Sequence, residues 1–330
     1  MDKANLPLMA LDSIATNTSS AGRKLVSVIV PVFENVNTLS DLVQRIKNAV
    51  DQAPSIDLEI ILVDDGSSDG SLRLMRELAE LGDTKIRPIK LSRNFGQVAA
   101  IEAGLTHAVG DASVIISADL QDPPELITTL IEHWLNGSDL VIAHRIDRQD
   151  SMFSKLFSTI AYSIARKRFK NMPAGGFDFL LLSKRAVDSY LQMNGSNRFF
   201  QGDILYLGFP LTLVPYTRLK REFGKGAWSL KGRLKYFVDI ALVSSYLPIR
   251  LVSILGFLAT FSSFVYAVIV VIARLNGPFP LPGWAPLMIV SLMLGGLNLL
   301  ILGLIGEYIW RIYDRQLARP NFIIEEVLNK

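Results

Sequence analysis

Short runs of aliphatic residues and helix-spaced apolar positions alternate along the first half of the chain. Residues 25–30 form the first run, closed by Pro31; the polar stretch 33–37 then leads into a helical pattern over about 38–50. The same step recurs at 58–64 with 71–81, at 85–91 with 96–109, and at 112–117 with a helix after Pro123-Pro124. Residues 139–143 read as a fifth strand. Strands separated by helices of this length predict right-handed crossovers, hence an α/β domain built on a mostly parallel sheet. The run at 58–64 has the β-branched content of a strand buried on both faces, and it ends in Asp64-Asp65 before a Gly/Ser/Asp turn. A second acidic rim follows at Ser117-Ala118-Asp119-Leu120-Gln121-Asp122. Carboxyl ends of parallel strands are where open α/β sheets hold their ligands.

The second half differs in kind. Met152, Phe153, Leu156, Phe157, Ile160 and Ile164 lie three or four apart, with Lys155, Arg166, Lys167, Arg168 and Lys170 beside them. This pattern predicts a basic amphipathic helix on an anionic membrane surface, or else a helix packed on the sheet with a solvated basic end. A strand resumes at 175–182, and 197–210 carries Gln201-Gly202-Asp203. Residues 217–228 concentrate Arg218, Lys220, Arg221 and Lys225, and 229–246 read as a second amphipathic helix, basic at its start. Two uncharged runs follow, 251–273 and 284–306. Each is roughly 35 Å long as a helix, enough to cross a hydrocarbon core of about 30 Å. Gly295, Gly296, Gly303 and Gly306 in the second would let another helix approach closely. Arg250 on one flank and Arg311, Arg315 and Arg319 on the other place the α/β domain and both termini in the cytoplasm, with the apolar pair in the cytoplasmic (inner) membrane. The expected organisation is a flexible tail over 1–22 with no signal peptide, a cytoplasmic domain over 23–228, a juxtamembrane helix over 229–246, two spans within 247–310 and a cytoplasmic tail over 311–330.

Composition narrows the chemistry. The net charge of +3 gives no argument for nucleic acid as a partner, and the absence of cysteine excludes disulfides and thiolate metal sites. His107, His133 and His144 have no ligand-like spacing. No G-x-G-x-x-G follows the first strand, and no phosphate-binding G-x-x-x-x-G-K-[ST] occurs. The run from Asp65 to Gly70 resembles a calcium loop, but its twelfth position is Arg76 where a bidentate Glu is required. An acid-rich sheet mouth without a phosphate loop suits Mg²⁺ or Mn²⁺ bridging a diphosphate, held by one or two carboxylates and the phosphate oxygens themselves. Asp119 is the first ligand candidate, with Gln121 as a neutral partner, and Asp64 or Asp65 would contact a base or ribose. Asp69 and Asp122 read equally as ligands and as caps of a turn or helix. The Arg218, Arg221 and Lys225 cluster suits a lipid-borne phosphate, or an electrostatic anchor to anionic headgroups.

On these residues the chain resembles the family 2 inverting glycosyltransferases, specifically the polyprenyl-phosphate branch that includes bactoprenol glucosyltransferases and dolichyl-phosphate mannosyltransferases. The motifs that carry the resemblance begin with Ser27-Val28-Ile29-Val30-Pro31-Val32-Phe33-Glu34-Asn35, Val63-Asp64-Asp65-Gly66-Ser67-Ser68-Asp69 and Ser92-Arg93-Asn94-Phe95-Gly96. They continue through Ala118-Asp119-Leu120-Gln121-Asp122-Pro123-Pro124-Glu125, Gly176-Phe177-Asp178 and Asn197-Arg198-Phe199-Phe200-Gln201-Gly202-Asp203. The resemblance implies a GT-A fold with a membrane hairpin. Pro31, Glu34 and Asp65 would line the nucleotide pocket, Asp119 and Gln121 would hold the metal, and Arg93 would lie near the diphosphate. Asp178 would face the sugar or the acceptor, with Asp203 as a second candidate acid, and Arg218 and Arg221 would receive the lipid phosphate. Two positions depart from the family pattern: Ser117 replaces the first carboxylate of the usual Asp-x-Asp, and Gly226-Ala227 replace the usual Ser and basic residue. The implied reaction is inverting transfer of a hexose, glucose from UDP-glucose first, to undecaprenyl or a related polyprenyl phosphate. Mannose from GDP-mannose or an amino-pentose is the alternative sugar, and the family suggests a tetramer. A processive polysaccharide synthase would need more spans and a Q-x-x-R-W motif, which Gln201-Gly202-Asp203 does not continue.

Overall fold

A computed structural model describes residues 22–53, 55–81, 84–146, 169, 171–173, 176–193, 199–219, 247–275, 284–317 and 319–328. The expected tail over 1–22, both amphipathic helices (151–170 and 229–246), Arg221 and Lys225 lie outside or almost wholly outside these residues.

The alternation read from the sequence is realised as β1 (Lys24–Val32), α1 (Val36–Asp51), β2 (Ile56–Asp64), α2 (Ser71–Glu80), β3 (Lys85–Leu91), α3 (Gln97–His107), β4 (Ala112–Ile115), α4 (Leu126–Leu135) and β5 (Leu140–Arg145). Then come β6 (Phe179–Ser183), α5 (Lys184–Leu191), α6 (Phe200–Tyr206) and β7 (Leu211–Tyr216). Two long helices, α7 (Leu247–Leu275) and α8 (Trp284–Gln316), precede a last strand, β8 (Ile324–Val327). All eight strands join one sheet in the order β7-β5-β6-β4-β1-β2-β3-β8. The neighbours β4, β1, β2 and β3 are mutually parallel, as are β5 and β7, while β6 and β8 run antiparallel to their neighbours. This is a GT-A-like α/β fold. The chain steps from β1 to β2 and β3 on one side and places β4 on the other, so the strand order reverses at β1; a crevice opens at the carboxyl ends of strands at such a point.

Alternation along β1 divides the core between the two faces. Val26, Val28, Val30 and Val32 pack with Leu39, Leu42 and Ile46 of α1 and Ile127, Leu130 and Ile131 of α4. Ile29 points to the opposite face, with Ala100, Ile101 and Ala103 of α3 and Tyr190 of α5. Each fully buried aliphatic side chain of this kind contributes about 1.5–3 kcal/mol by leaving water. Close packing of α3 on β1 depends on Gly104, where a Cβ would stand 2.4 Å from Ile29 Cγ2.

Among the described residues, α8 holds one window, Met293–Trp310, long and apolar enough to cross a membrane, and none of that window is buried. The apolar stretch of α7, Ile254–Tyr266, is shorter, so the expected pair of equivalent spans is matched at one helix by this criterion. The two helices touch where Gly256 faces Ile301 Cδ1, and a Cβ added at Gly295, Gly296, Gly303 or Gly306 would meet nothing within 4 Å.

Candidate active site

Four loops leave the carboxyl ends of β1 to β4 and interlock through side-chain-to-backbone hydrogen bonds. Asp69 joins the first two: its Oδ2 accepts from Val36 N–H at 3.0 Å, and its Oδ1 accepts from the Ser71 amide and hydroxyl at 3.0 and 2.6 Å. Burial works against the Asp69 charge, but the Ser71 hydroxyl and the amides of Val36 and Ser71 prevail and hold its carboxyl below the usual range. Of the two readings left open in the sequence, Asp69 is a cap. Glu34 has a left-handed backbone (φ 54°); its N–H donates to Ser67 Oγ at 3.0 Å and its Oε1 accepts from Ser68 Oγ at 3.2 Å. Pro31 is buried inside β1, paired in register with Val63.

The two adjacent acids at the end of β2, Asp64 and Asp65, have different surroundings. Asp65 accepts from Phe95 N–H at 2.7 Å and from Gly96 N–H at 2.9 Å, so its carboxylate clamps the loop that starts α3. Burial lifts the Asp65 carboxyl above the usual range, opposed by those two amides and assisted by the neighbouring Asp64. Asp64 Oδ1 accepts from Ser67 N–H at 3.1 Å, while its Oδ2 is buried with no hydrogen-bond partner among the described residues. Gly66, next in the chain, has φ 78°, and a Cβ there would lie 2.8 Å from Asn94 N. Only glycine fits that backbone conformation beside the Arg93 loop without displacing it. Arg93 itself is exposed, its guanidinium 4.5 Å from the centre of the Phe95 ring.

At the end of β4 the chain reverses through Leu120, whose backbone is left-handed (φ 57°) although its side chain is buried in the core. Asp119 and Gln121 flank it, half-buried, and Gln121 N–H donates to Asp119 Oδ1 at 3.2 Å. Thr38 Oγ1 fixes the preceding turn by donating to the Ala118 carbonyl at 2.6 Å. A non-glycine residue held at positive φ stores strain that its surroundings must support, and such residues concentrate at functional sites. Among the described residues, no three His, Asp or Glu side chains converge to form a metal cage. The donor set of one carboxylate and one amide at the sheet mouth fits a hard cation whose remaining ligands come from a diphosphate and water.

Asp122 is the acid that sequence reasoning placed least well. It is completely buried, accepts a short hydrogen bond from Tyr216 O–H, and lies 3.9 Å from Arg218 Nε. Tyr216 O–H in turn receives Arg145 Nε at 3.3 Å, and Arg145 donates to Asp178 Oδ2 at 3.0 Å. Gln201 donates to the Phe177 carbonyl at 2.7 Å and to Asp178 Oδ1 at 3.4 Å. Leu219 N–H donates to the Gln121 carbonyl at 3.0 Å, which ties the start of the basic segment to the acidic turn. Burial pushes the Asp122 carboxyl up, against the pull of Arg145, Tyr216 and Arg218. Burial also opposes the charge on Arg145, but Asp178 and Asp122 outweigh it and keep the guanidinium firmly protonated. Arg218 Nε and Asp122 Oδ2 are both buried without a hydrogen-bond partner among the described residues.

The sequence-based candidates therefore fall into two groups. Glu34, Asp64, Asp65 and Arg93 stand on interlocked loops at the ends of β1 to β3, while Asp178 and Arg218 belong to the network around Asp122. Asp119 and Gln121 lie between these groups, and Asp203 stands half-buried in the first turn of α6. Arg145, Tyr216 and Gln201 were not singled out as functional from the sequence. Arg145 closes β5 with no motif around it, and only the antiparallel β5–β6 pairing brings it to Asp178.

Residues 27–191 match the family model described as glycosyl transferase family 2. The uncharacterized glycosyltransferase YkcC of Bacillus subtilis (strain 168) is 36% identical over 302 residues, covering 91% of this chain and 93% of that protein. The undecaprenyl-phosphate 4-deoxy-4-formamido-L-arabinose transferase of Salmonella choleraesuis (strain SC-B67) is 34% identical over 309 residues, covering 92% and 94%. Among solved structures, glucosyl-3-phosphoglycerate synthase from Mycobacterium tuberculosis, crystallised with Mn²⁺, UDP and glucosyl-3-phosphoglycerate, superposes with a TM-score of 0.50 at 18% identity, over 68% of this chain and 80% of that one. That likeness supports the fold, and the two long, closely similar relatives and the family model settle membership: the chain belongs to glycosyl transferase family 2.

Proposed function

We propose that the protein transfers a sugar from a nucleoside diphosphate to the phosphate of a polyprenyl carrier at the cytoplasmic face of a membrane, with inversion at the anomeric carbon. The observation that carries this reading is the junction of an acidic turn with a basic segment. Leu219 N–H bonds the Gln121 carbonyl beside Asp119, and Arg218 reaches the buried Asp122. One end of the junction suits a metal-bound diphosphate and the other an incoming phosphate. The Salmonella relative, an undecaprenyl-phosphate transferase by name, supports the same acceptor class.

Asp119 and Gln121 would hold Mg²⁺ or Mn²⁺, with Pro31, Glu34, Asp64 and Asp65 around the nucleotide and Arg93 near the diphosphate. A divalent ion there supplies charge neutralisation for the departing nucleoside diphosphate. A phosphate monoester has its second pKa near ~6, so at neutral pH it is already an anionic nucleophile that needs little help from a general base. Its oxygen bonds to the anomeric carbon as the carbon–oxygen bond to the diphosphate breaks, and the nucleotide leaves with the electron pair. Asp178, engaged by Arg145 and Gln201, would orient the sugar or the acceptor rather than take a proton. Asp203, in the first turn of α6, would be a second orienting acid. Arg218, with Arg221 and Lys225, receives the lipid phosphate. UDP-glucose is the first donor to test. The identity to the Salmonella enzyme favours a nucleotide of an amino-pentose in its 4-formamido form as the second, and GDP-mannose is the third.

The expected result with labelled donors is transfer to polyprenyl phosphate and none to the corresponding free polyprenol. Equal transfer to the alcohol would overturn the reading of the basic segment.

The same account includes a two-helix membrane hairpin, which the path of the chain supports. β8 follows α8 and pairs with β3 of the catalytic sheet, so the chain leaves that domain and returns to it. Any crossings between must be even in number; a crossing by α8 therefore calls for a second, and α7 is the apolar helix available. The positive flanks assign the catalytic side to the cytoplasm. Because the chain has no cysteine, single-cysteine variants report without background. Gly277→Cys is expected to react with an impermeant thiol reagent from the far side of the membrane, and Asn329→Cys only after the cytoplasmic side is opened. Labelling of both from one side would contradict the hairpin.

A further inference from the structure

The segment after α8 does more than end the chain. β8 covers the outer edge of β3, pairing Ile89 with Val327, Lys90 with Glu326 and Leu91 with Ile324. The pairing extends past both ends: Ser92 N–H donates to the Ile323 carbonyl at 2.9 Å, and Leu328 N–H to the Pro88 carbonyl at 3.0 Å. Ser92 is the first residue of the Arg93 loop. The helix into which that loop runs, α3, is held by the same segment, because Asn321 Nδ2 donates to Glu102 Oε2 at 2.8 Å. Glu102 is 4% exposed, and its Oε1 accepts from Tyr190 O–H at 3.0 Å. Phe322, Ile324 and Val327 pack against the same apolar cluster as Phe95. Lys90–Glu325 and Arg76–Glu326 add ion pairs at 2.8 and 2.7 Å, but both are exposed and count for little.

The loop at 92–96 is thus gripped from two sides: by Asp65 on its amides from within the sheet, and by residues 321–327 on its start and on its helix from outside. We infer that the carboxyl-terminal segment, through Asn321 and β8, is a positioning element of the donor site that sets the Arg93 loop for the nucleoside diphosphate. In the chain it follows α8, which ends at Gln316, after four residues. The inference rests on the reading of that loop as the diphosphate side of the site.

Binding of UDP and of GDP, each with Mn²⁺, measured by calorimetry on the full-length protein, tests it, with donor and acceptor KM values as the second readout. Asn321→Ala is expected to weaken nucleotide binding and raise donor KM by about 5–10-fold, the scale of one lost part-buried hydrogen bond to a charged group. The KM for polyprenyl phosphate should stay within about twofold, since the acceptor network lies at the other end of the sheet mouth. A chain ending at Arg319 should lose more donor affinity with the same selectivity. If it does not fold, Asn321→Ala decides alone. Unchanged nucleotide affinity in Asn321→Ala, or equal losses for donor and acceptor that follow the thermal midpoint, would make the segment an edge cover only and overturn the inference. Failure of the unaltered protein to bind either nucleotide would instead remove the functional reading beneath it.

Discussion

Asp119→Ala is expected to reduce sugar transfer by about 10²–10³-fold or more, the scale seen when one preorganised group that stabilises departing charge is removed. The reason is local. Ser117 occupies the position where a second carboxylate would share the load, and the other acid of that turn, Asp122, is buried against Tyr216, which leaves Asp119 as the half-buried acid there. The side chain is half-buried and the turn is held independently by Thr38 on the Ala118 carbonyl, so the fold should survive the change. The measurement is single-turnover transfer over a range of Mn²⁺ concentrations, together with the thermal midpoint. A wild-type rate in the alanine variant would remove Asp119 from the metal site. The complementary change, Ser117→Asp, should lower the Mn²⁺ concentration required for half-maximal rate, because a second hard oxygen ligand joins the first.

Asp122→Ala is expected to have the largest effect on stability, a loss of about 3–5 kcal/mol. Asp122 is buried completely and is the carboxylate that faces both Tyr216 and Arg218, with Arg145 one hydrogen bond away. Removing it leaves two guanidinium groups and a buried phenol with Asp178 as the remaining acid of the network. Breaking one partner of a buried charged cluster is far costlier than never having built it. Asp122→Asn keeps the shape and an acceptor for the Tyr216 hydroxyl, so it should cost less stability while still raising the KM for polyprenyl phosphate through a displaced Arg218. Thermal or denaturant unfolding of both variants, paired with acceptor kinetics, separates the two effects. A change confined to the donor KM would contradict the assignment of this network to the acceptor side.

Much of the catalytic domain was legible because its strands are continuous aliphatic runs bounded by turn residues. From β1 to β5 the observed elements agree with the expected ones to within about two residues at most ends. Elements whose sequence carries mixed signals were not legible. β8 reads Ile-Glu-Glu-Val, two acids in four residues, and resembles a solvated tail. Its acids face Lys90 and Arg76 across the sheet edge, a pairing that no local pattern announces. β7 carries Pro215, which demotes a strand in sequence, and it is tolerated at the sheet's outer edge beside β5. The site divided in the same way. The placing of Asp64, Asp65 and Asp119 just at or beyond strand ends was legible from the aliphatic runs that precede them. Asp69, in the same acidic turn, proved to be a cap that joins two helix starts. Arg145 was invisible because its partners arrive from β6 and β7, far along the chain.

The central claim is that one crevice holds a metal-bound nucleoside diphosphate and a lipid phosphate at opposite ends of the Asp119–Asp122 turn. A structure of the full-length protein with UDP, Mn²⁺ and a polyprenyl phosphate in a lipid environment measures this directly. The account predicts Mn²⁺ bound by the Asp119 carboxylate and the β-phosphate, with the lipid phosphate against the Arg218 guanidinium. Mn²⁺ held by other acids with Asp119 turned away, or a lipid phosphate remote from Arg218, would contradict it.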